Sequence, residues 1–337
     1  MQAPAALRRI RSLHAHTAST ATAPALRAAV DAPLHSARPE LAVPADPLAQ
    51  FSRVMVVIAH PDDESMAGGT IAKFVRAAAP FCVFPPPPPE VVAQTAAGAA
   101  VRIVVLTNGD KGSGDLEMTS PRLARLRAEE MAAAAATLGA TAVLLGYPDG
   151  ELENTYTARM RVAAQIRLFE PQLLITFNPA VDNNGYHNGR AHRDHNIAGQ
   201  IALDCFYPLA RDHLQFKELW DPDTYGGVLR RDAPELADLA EPLPGWKIQE
   251  AYLFATHRVP DGVSVAGPPP WHETVVVDTT GTLETQARAL SKHATQTGAK
   301  GWEEILPRLE GRSRAMGEGT EPPVAAAEWF TRVMNMG

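Results

Sequence analysis

Two short stretches of this 337-residue chain gather side chains capable of metal and acid–base chemistry. The first is Ala59-His60-Pro61-Asp62-Asp63-Glu64. Imidazole and carboxylate are good ligands for a borderline metal such as Zn2+. Three protein ligands leave a catalytic zinc one open position, whereas a fourth closes it. A further carboxylate beside the metal can take a proton from water. The second stretch is His192-Arg193-Asp194-His195, at the end of a polar segment containing Asn178, Asp182, Asn183, Asn184, Tyr186, His187 and Asn188. Two histidines three apart with an aspartate between them can supply one metal ligand and one acid. The aspartate can then orient the catalytic imidazole and stabilise its charged form. Alone, a His-x-x-His arises often by chance, and charges after a strand are commonly a solvated loop. The pairing of the two stretches is what points to a site.

Both stretches follow strand-like sequence. Val54 to Ala59 is a continuous apolar run, the pattern of a buried parallel strand. Gly68-Gly69 and an apolar-periodic stretch through Phe74 and Val75 predict a helix after the first motif. Val101–Leu106, Ala142–Leu145 and Leu173–Phe177 predict further strands. They alternate with helices from Ser120-Pro121 to Leu138 and over Tyr156–Phe169, and a helix after His195 runs through Cys205. This alternation predicts an α/β fold, Rossmann-like and doubly wound, with a mostly parallel sheet. Sites in such sheets form at the carboxyl ends of strands, which is where the loop at 60–65 falls. No Gly-x-Gly-x-x-Gly follows the first strand, so a dinucleotide site is set aside. From about 208 the sequence is less regular. Glu250–Ala255 and Glu273–Val277 read as strands there, and Leu283–His293 as a helix.

The composition, 45% hydrophobic and 20% charged, is that of a globular protein. A net charge of −7 argues against a nucleic-acid partner. Cys82 and Cys205 make no disulfide framework, which fits a reducing compartment. No apolar stretch is long enough for a membrane span. Residues 1–48 are expected outside the fold: the first 30 are basic, hydroxyl-rich and free of acid, as in an organelle transit peptide or an Ala/Pro-rich tail. The two readings imply an organelle (mitochondrial or plastid) or a cytoplasmic location for a soluble intracellular protein. Residues 49–337 are expected to form one domain, with a proline-rich surface insertion at about 79–100 that includes the run Pro85–Pro89.

Together these motifs resemble the PIG-L/LmbE-like zinc-dependent N-deacetylases, from about Arg53 to Gln296. Further matching segments are Thr107–Gly112, Arg127-Ala128-Glu129-Glu130, Pro148–Leu152 and Lys292-His293-Ala294-Thr295-Gln296. The resemblance is nearest to the soluble branch that includes diacetylchitobiose deacetylases. It implies an LmbE-like fold and one Zn2+ per chain, held by His60, Asp63 and His195. Asp62 would be the general base. His192, paired with Asp194, would stabilise the oxyanion or protonate the leaving amine. Arg127 and Asp149 would bind sugar hydroxyls, although Arg127 also fits an exposed helix charge and Asp149 a Pro-Asp-Gly turn. His293 matches a histidine that can face the substrate pocket, and Glu64 would brace its loop. The implied reaction is hydrolysis of a linear amide, the acetamide of an N-acetylglucosamine-containing small molecule. Two alternatives are a zinc amidase acting on a non-sugar or thiol conjugate, and a sugar-binding protein with an inactive site. A homo-oligomer is implied by the related soluble enzymes. Arg193 stands where the family often has Pro, Ser65-Met66-Ala67 replaces bulkier residues, and the insertion at 79–100 is additional.

Overall fold

The computed structural model describes residues 48, 50–76, 98–179, 192–254, 273–318 and 323–335, within the unit Pro47–Gly337. The N-terminal segment before Leu48, most of the proline-rich insertion with Cys82, the polar residues Asp182–Asn188 and the imidazoles His187 and His257 lie outside the described residues.

The apolar runs become a parallel sheet. Strand β1 (Arg53–Ile58) lies between β2 (Ala100–Thr107) and β4 (Leu173–Thr176), parallel to both, and Val54–Ile58 are wholly buried. Burial on both faces explains why these strands read as continuous hydrophobic sequence. β3 (Thr141–Tyr147) extends the sheet beyond β2, and β5 (Glu250–Phe254) extends it beyond β4, again in parallel. The strand order is β3-β2-β1-β4-β5-β7-β6. The chain thus winds outward from β1 in one direction, then returns to β1's other edge with β4. That reversal opens a crevice at the carboxyl ends of β1 and β4. Both chemical motifs follow these two strands.

Helix α1 (Gly68–Arg76) follows β1, α2 (Ser120–Leu138) follows β2, and α3 (Tyr156–Phe169) follows β3. Thr155 caps α3 by accepting the Ala158 amide at 3.1 Å. Helix α4 (Arg193–Asp204) starts within the second motif, so His195 lies in its first turn rather than before it. Gly199 lets α4 approach the sheet: a Cβ there would lie 2.5 Å from the Phe177 carbonyl oxygen.

The C-terminal part is more regular than its sequence suggests. After α5 (Lys217–Trp220) and α6 (Pro222–Asp232), β6 (Glu273–Asp278) forms the sheet edge. The helix expected over Leu283–His293 ends early, as α7 (Leu283–Leu290), and a short turn α8 (Ala294–Thr297) follows. Ser291 Oγ bonds back to the Arg288 carbonyl at 2.8 Å, one way a serine competes with helix propagation. Helix α9 (Trp302–Gly317) and β7 (Ala327–Met334) complete the order, with β7 antiparallel to both β5 and β6. Among the described residues no helix is long and apolar enough to cross a membrane.

Candidate active site

The first motif is held by the neighbouring strands. Thr107 donates to the Ala59 carbonyl from its amide (2.8 Å) and its hydroxyl (2.9 Å), and the Thr176 hydroxyl donates to the Val57 carbonyl at 2.9 Å. The chain then turns sharply through Asp62, whose φ of 114° is rare for an L-residue, into a 3-10 turn over Asp63–Ala67. In the second motif His192 is the N-cap of α4, and its Nδ1 accepts the Asp194 amide at 3.2 Å.

His60 is the centre of the cluster. Its amide donates to Asp63 Oδ2 at 2.8 Å, and its Nδ1 lies 3.3 Å from the same oxygen. Its Nε2 is 3.2 Å from Asp149 Oδ1 and 3.3 Å from Asp194 Oδ2. The second oxygen of Asp63 reaches His195 Nε2 at 3.2 Å. One carboxylate therefore joins two imidazoles. The His192 ring is edge-on to His60 at 4.4 Å, and the His195 ring stacks on Phe177 at 4.1 Å with planes 13° apart. Asp194 is completely buried. Its Oδ2 accepts the Gly150 amide at 2.7 Å, while its Oδ1 has no hydrogen-bond partner among the described residues.

These contacts set the protonation. Burial pulls His60 down, but Asp149, Asp194 and Asp63 outweigh it and push its pKa up to about 11. Burial pushes Asp63 up, yet His195 and His60 hold it well below the ordinary carboxylate range. Asp62 is lifted to about 7 by burial, then by the Asp63 charge, with Arg127 opposing. His192 is lowered by burial and by the other two imidazoles.

The donor set suits a metal. His60, Asp63 and His195 put two imidazoles and a carboxylate against one another, a combination favoured by Zn2+. Among the described residues, the groups whose ligand atoms all lie within 4.8 Å of one another are His60, His192 and His195, and His60, Asp149 and Asp194; the expected set of His60, Asp63 and His195 is not one of them.

Three expected tasks fall differently. The Asp194 carboxylate faces His60, and only its amide meets His192, because residues two apart at a helix start do not face each other. Arg127 is neither an exposed charge nor open to a ligand. Only 3% exposed, it donates to the Gly109 carbonyl (2.9 Å), the Pro61 carbonyl and Asp62 Oδ1 (3.1 Å). His293 faces no pocket: it is fully buried, with its Nε2 2.6 Å from Glu64 Oε1. Glu64 does brace the loop, since its other oxygen accepts the Asp62 amide at 3.1 Å. Asp149 sits within the cluster, its Oδ1 3.9 Å from His192 Nε2. Arg193 donates to the Leu152 carbonyl at 2.5 Å, tying the turn with Asp149 and Gly150 to α4. The sequence reading did not single out Phe177, the face behind His195, or Gly109, at φ 59° in the Asn-Gly turn after β2. A Cβ at Gly109 would lie 2.4 Å from Arg127 Nη1. Gly109→Ala is therefore expected to destabilise the fold by about 1–2 kcal/mol from its backbone conformation alone. A urea midpoint shifted at unchanged slope is the check, and an unshifted midpoint would contradict it.

With this geometry in place, the relationships are informative. The PIG-L family model, described as GlcNAc-PI de-N-acetylase, matches residues 89–206, a span containing Arg127, Asp149 and the whole His192–His195 motif. Over that span the chain is similar to the PIG-L family. A relative from Rhodococcus erythropolis, a 1D-myo-inositol 2-acetamido-2-deoxy-alpha-D-glucopyranoside deacetylase, is 26% identical over 315 residues, covering 84% of this chain and 91% of its own. A mycothiol S-conjugate amidase from Streptomyces coelicolor is 29% identical over 178 residues, 46% of this chain and 51% of its own. The solved N,N'-diacetylchitobiose deacetylase of Pyrococcus horikoshii shares the fold, with a TM-score of 0.56, 20% identity and 86% of each chain covered. Within the PIG-L family comparison the His60–Glu64 motif lies before the matched span, so its assignment rests on the contacts described above.

Proposed function

We propose that this hydrolase removes the acetyl group from an N-acetylglucosamine-containing small molecule, using one zinc ion held by His60, Asp63 and His195. The observation that carries the reading is the Asp63 carboxylate spanning His60 and His195, with Asp62 next to it in sequence and anchored by buried Arg127. The inositol-sugar deacetylase likeness supports the substrate class.

A zinc ion bound there supplies a Lewis acid that polarises the amide carbonyl and makes water easier to deprotonate. The residues do the rest. Asp62, whose carboxyl burial and the Asp63 charge lift above its ordinary range, accepts the proton of the attacking water. Water oxygen adds to the carbonyl carbon. The C–N bond then breaks, and the proton ends on the departing amine, leaving acetate and a free amino sugar. His192 is half exposed at the start of α4, where it can meet the developing oxyanion or amine. Asp149 Oδ1 lies 3.9 Å from His192 Nε2, beyond hydrogen-bond distance, and leaves that nitrogen available to the reacting groups. Asp194 fixes His60.

The test is amine release from N-acetylglucosamine, diacetylchitobiose and a GlcNAc–inositol conjugate by zinc-loaded protein, with and without chelator. Release from at least one sugar, abolished by chelation and restored by zinc, is expected. No release from any of them at stoichiometric zinc would sink the sugar reading. Cleavage of a thiol-conjugate amide in the same assay would favour the second reading, for which the mycothiol S-conjugate amidase likeness speaks.

A further inference from the structure

We propose that Glu64 and His293 form a buried strut that holds Asp62 in its reactive position, making His293 a positioning residue that touches no substrate. The catalytic half of this inference rests on Asp62 being the base in the hydrolysis above. The strut itself rests on geometry alone.

Asp62 has φ 114° and ψ −18°, a strained backbone for any residue bearing a Cβ. Such a conformation persists only where its surroundings over-determine it. Two arms do so here. One is Arg127, which grips the Pro61 carbonyl and the Asp62 carboxylate. The other is Glu64, whose Oε2 accepts the Asp62 amide. Glu64 is itself only 1% exposed, and its remaining oxygen meets His293 Nε2. Each Glu64 oxygen thus has one donor. Without the His293 donor, a buried carboxylate oxygen is left unsatisfied, and the carboxylate is drawn to find a replacement.

His293 is anchored in turn. It precedes α8, and the Thr297 hydroxyl donates to its carbonyl at 3.0 Å. Turn α8 is fixed to α2 by Glu130, which accepts the Thr295 amide (2.8 Å) and hydroxyl (2.7 Å). Glu130 lies one turn after Arg127 on the same helix. Helix α2 therefore sets both arms of the clamp, one at the Asp62 carboxylate and one, through α8, at its amide. His293 Nδ1 has no hydrogen-bond partner among the described residues, so the strut uses Nε2 alone. A glutamine, which keeps a terminal N–H donor, should serve in its place.

The experiment compares zinc-reconstituted full-length wild type with His293→Gln and His293→Met. Zinc content, kcat and KM on an amide that wild type cleaves, and amide hydrogen exchange over residues 60–66 are measured. For His293→Met we expect exchange at Asp62 to speed up about 10-fold or more, and kcat to fall about 10- to 100-fold, with zinc stoichiometric and KM within about twofold. His293→Gln should return both to within about threefold of wild type. Wild-type exchange and kcat in His293→Met would overturn the proposal, as would a glutamine that rescues neither. If His293→Met does not fold, Glu64→Met removes both acceptor oxygens at similar length. The same acceleration of exchange is expected from it, and unaltered exchange overturns the strut. Absence of any wild-type turnover would count against the hydrolase reading alone, because the exchange measurement still decides the strut.

Discussion

Asp62→Asn is expected to lower kcat by about 10²- to 10⁴-fold while the protein keeps its zinc. The substitution is nearly isosteric. Its side-chain oxygen can still accept from Arg127, and its amide can still donate to Glu64. What disappears is the ability to take up a proton. Burial, and then the Asp63 charge, lift this carboxyl to about 7 against the pull of Arg127. A carboxyl lifted above its ordinary range accepts a proton from water more readily than a free aspartate does. Metal analysis alongside steady-state kinetics provides the check. Zinc lost in proportion to activity would make Asp62 a ligand. Activity retained at wild-type level would place the base elsewhere.

Asp194→Ala is expected to weaken zinc binding by about 10- to 100-fold, the usual effect of removing a carboxylate that orients a ligating histidine. Asp194 is fully buried, and one of its oxygens receives both His60 Nε2 and the Gly150 amide. Alanine removes the partner that fixes the His60 ring and frees the turn carrying Asp149. The measurement is a competition titration against a chromogenic chelator. Had Asp194 served His192, as its place in the sequence suggested, turnover would fall with zinc affinity unchanged. That outcome would return Asp194 to the role first expected of it.

The contrast between these two aspartates shows what was legible in one dimension. Asp62 sits in a motif whose residue types are read directly, and the strand before it is announced by the apolar run Val54–Ile58. The doubly wound order followed from the alternation of such runs with helices. Asp194 was paired with His192 because sequence proximity stood in for direction: with α4 beginning at Arg193, positions two apart point to different sides, and the Asp194 carboxylate meets His60. His293 was misplaced for a different reason. Its surroundings come from Glu64 and α8, contacts far apart in sequence that no local periodicity reports.

The C-terminal strand was hidden by its own charges. Glu328 and Arg332 interrupt the apolar pattern of β7, yet each has a partner: Glu328 accepts the Gly69 and Thr70 amides at the start of α1, and Arg332 pairs with Glu250 on β5. Helix α9 was obscured by Pro307 within its span. In both cases packing overrides the local signal that propensity supplies.

The place of β7 has a consequence for how the molecule is made. It is the last of the described strands in sequence, but it lies inside the sheet between β5 and β6. During synthesis the strands up to β5 can pair as they emerge, while β6 has no neighbour until β7 arrives. Until then the β5 edge is open to pairing with other chains, and α1 lacks the carboxylate of Glu328 over its first amides. A translational pause between β6 and β7 would therefore hold the protein in its most aggregation-prone form, with the catalytic motifs already made and the helix behind them still uncapped.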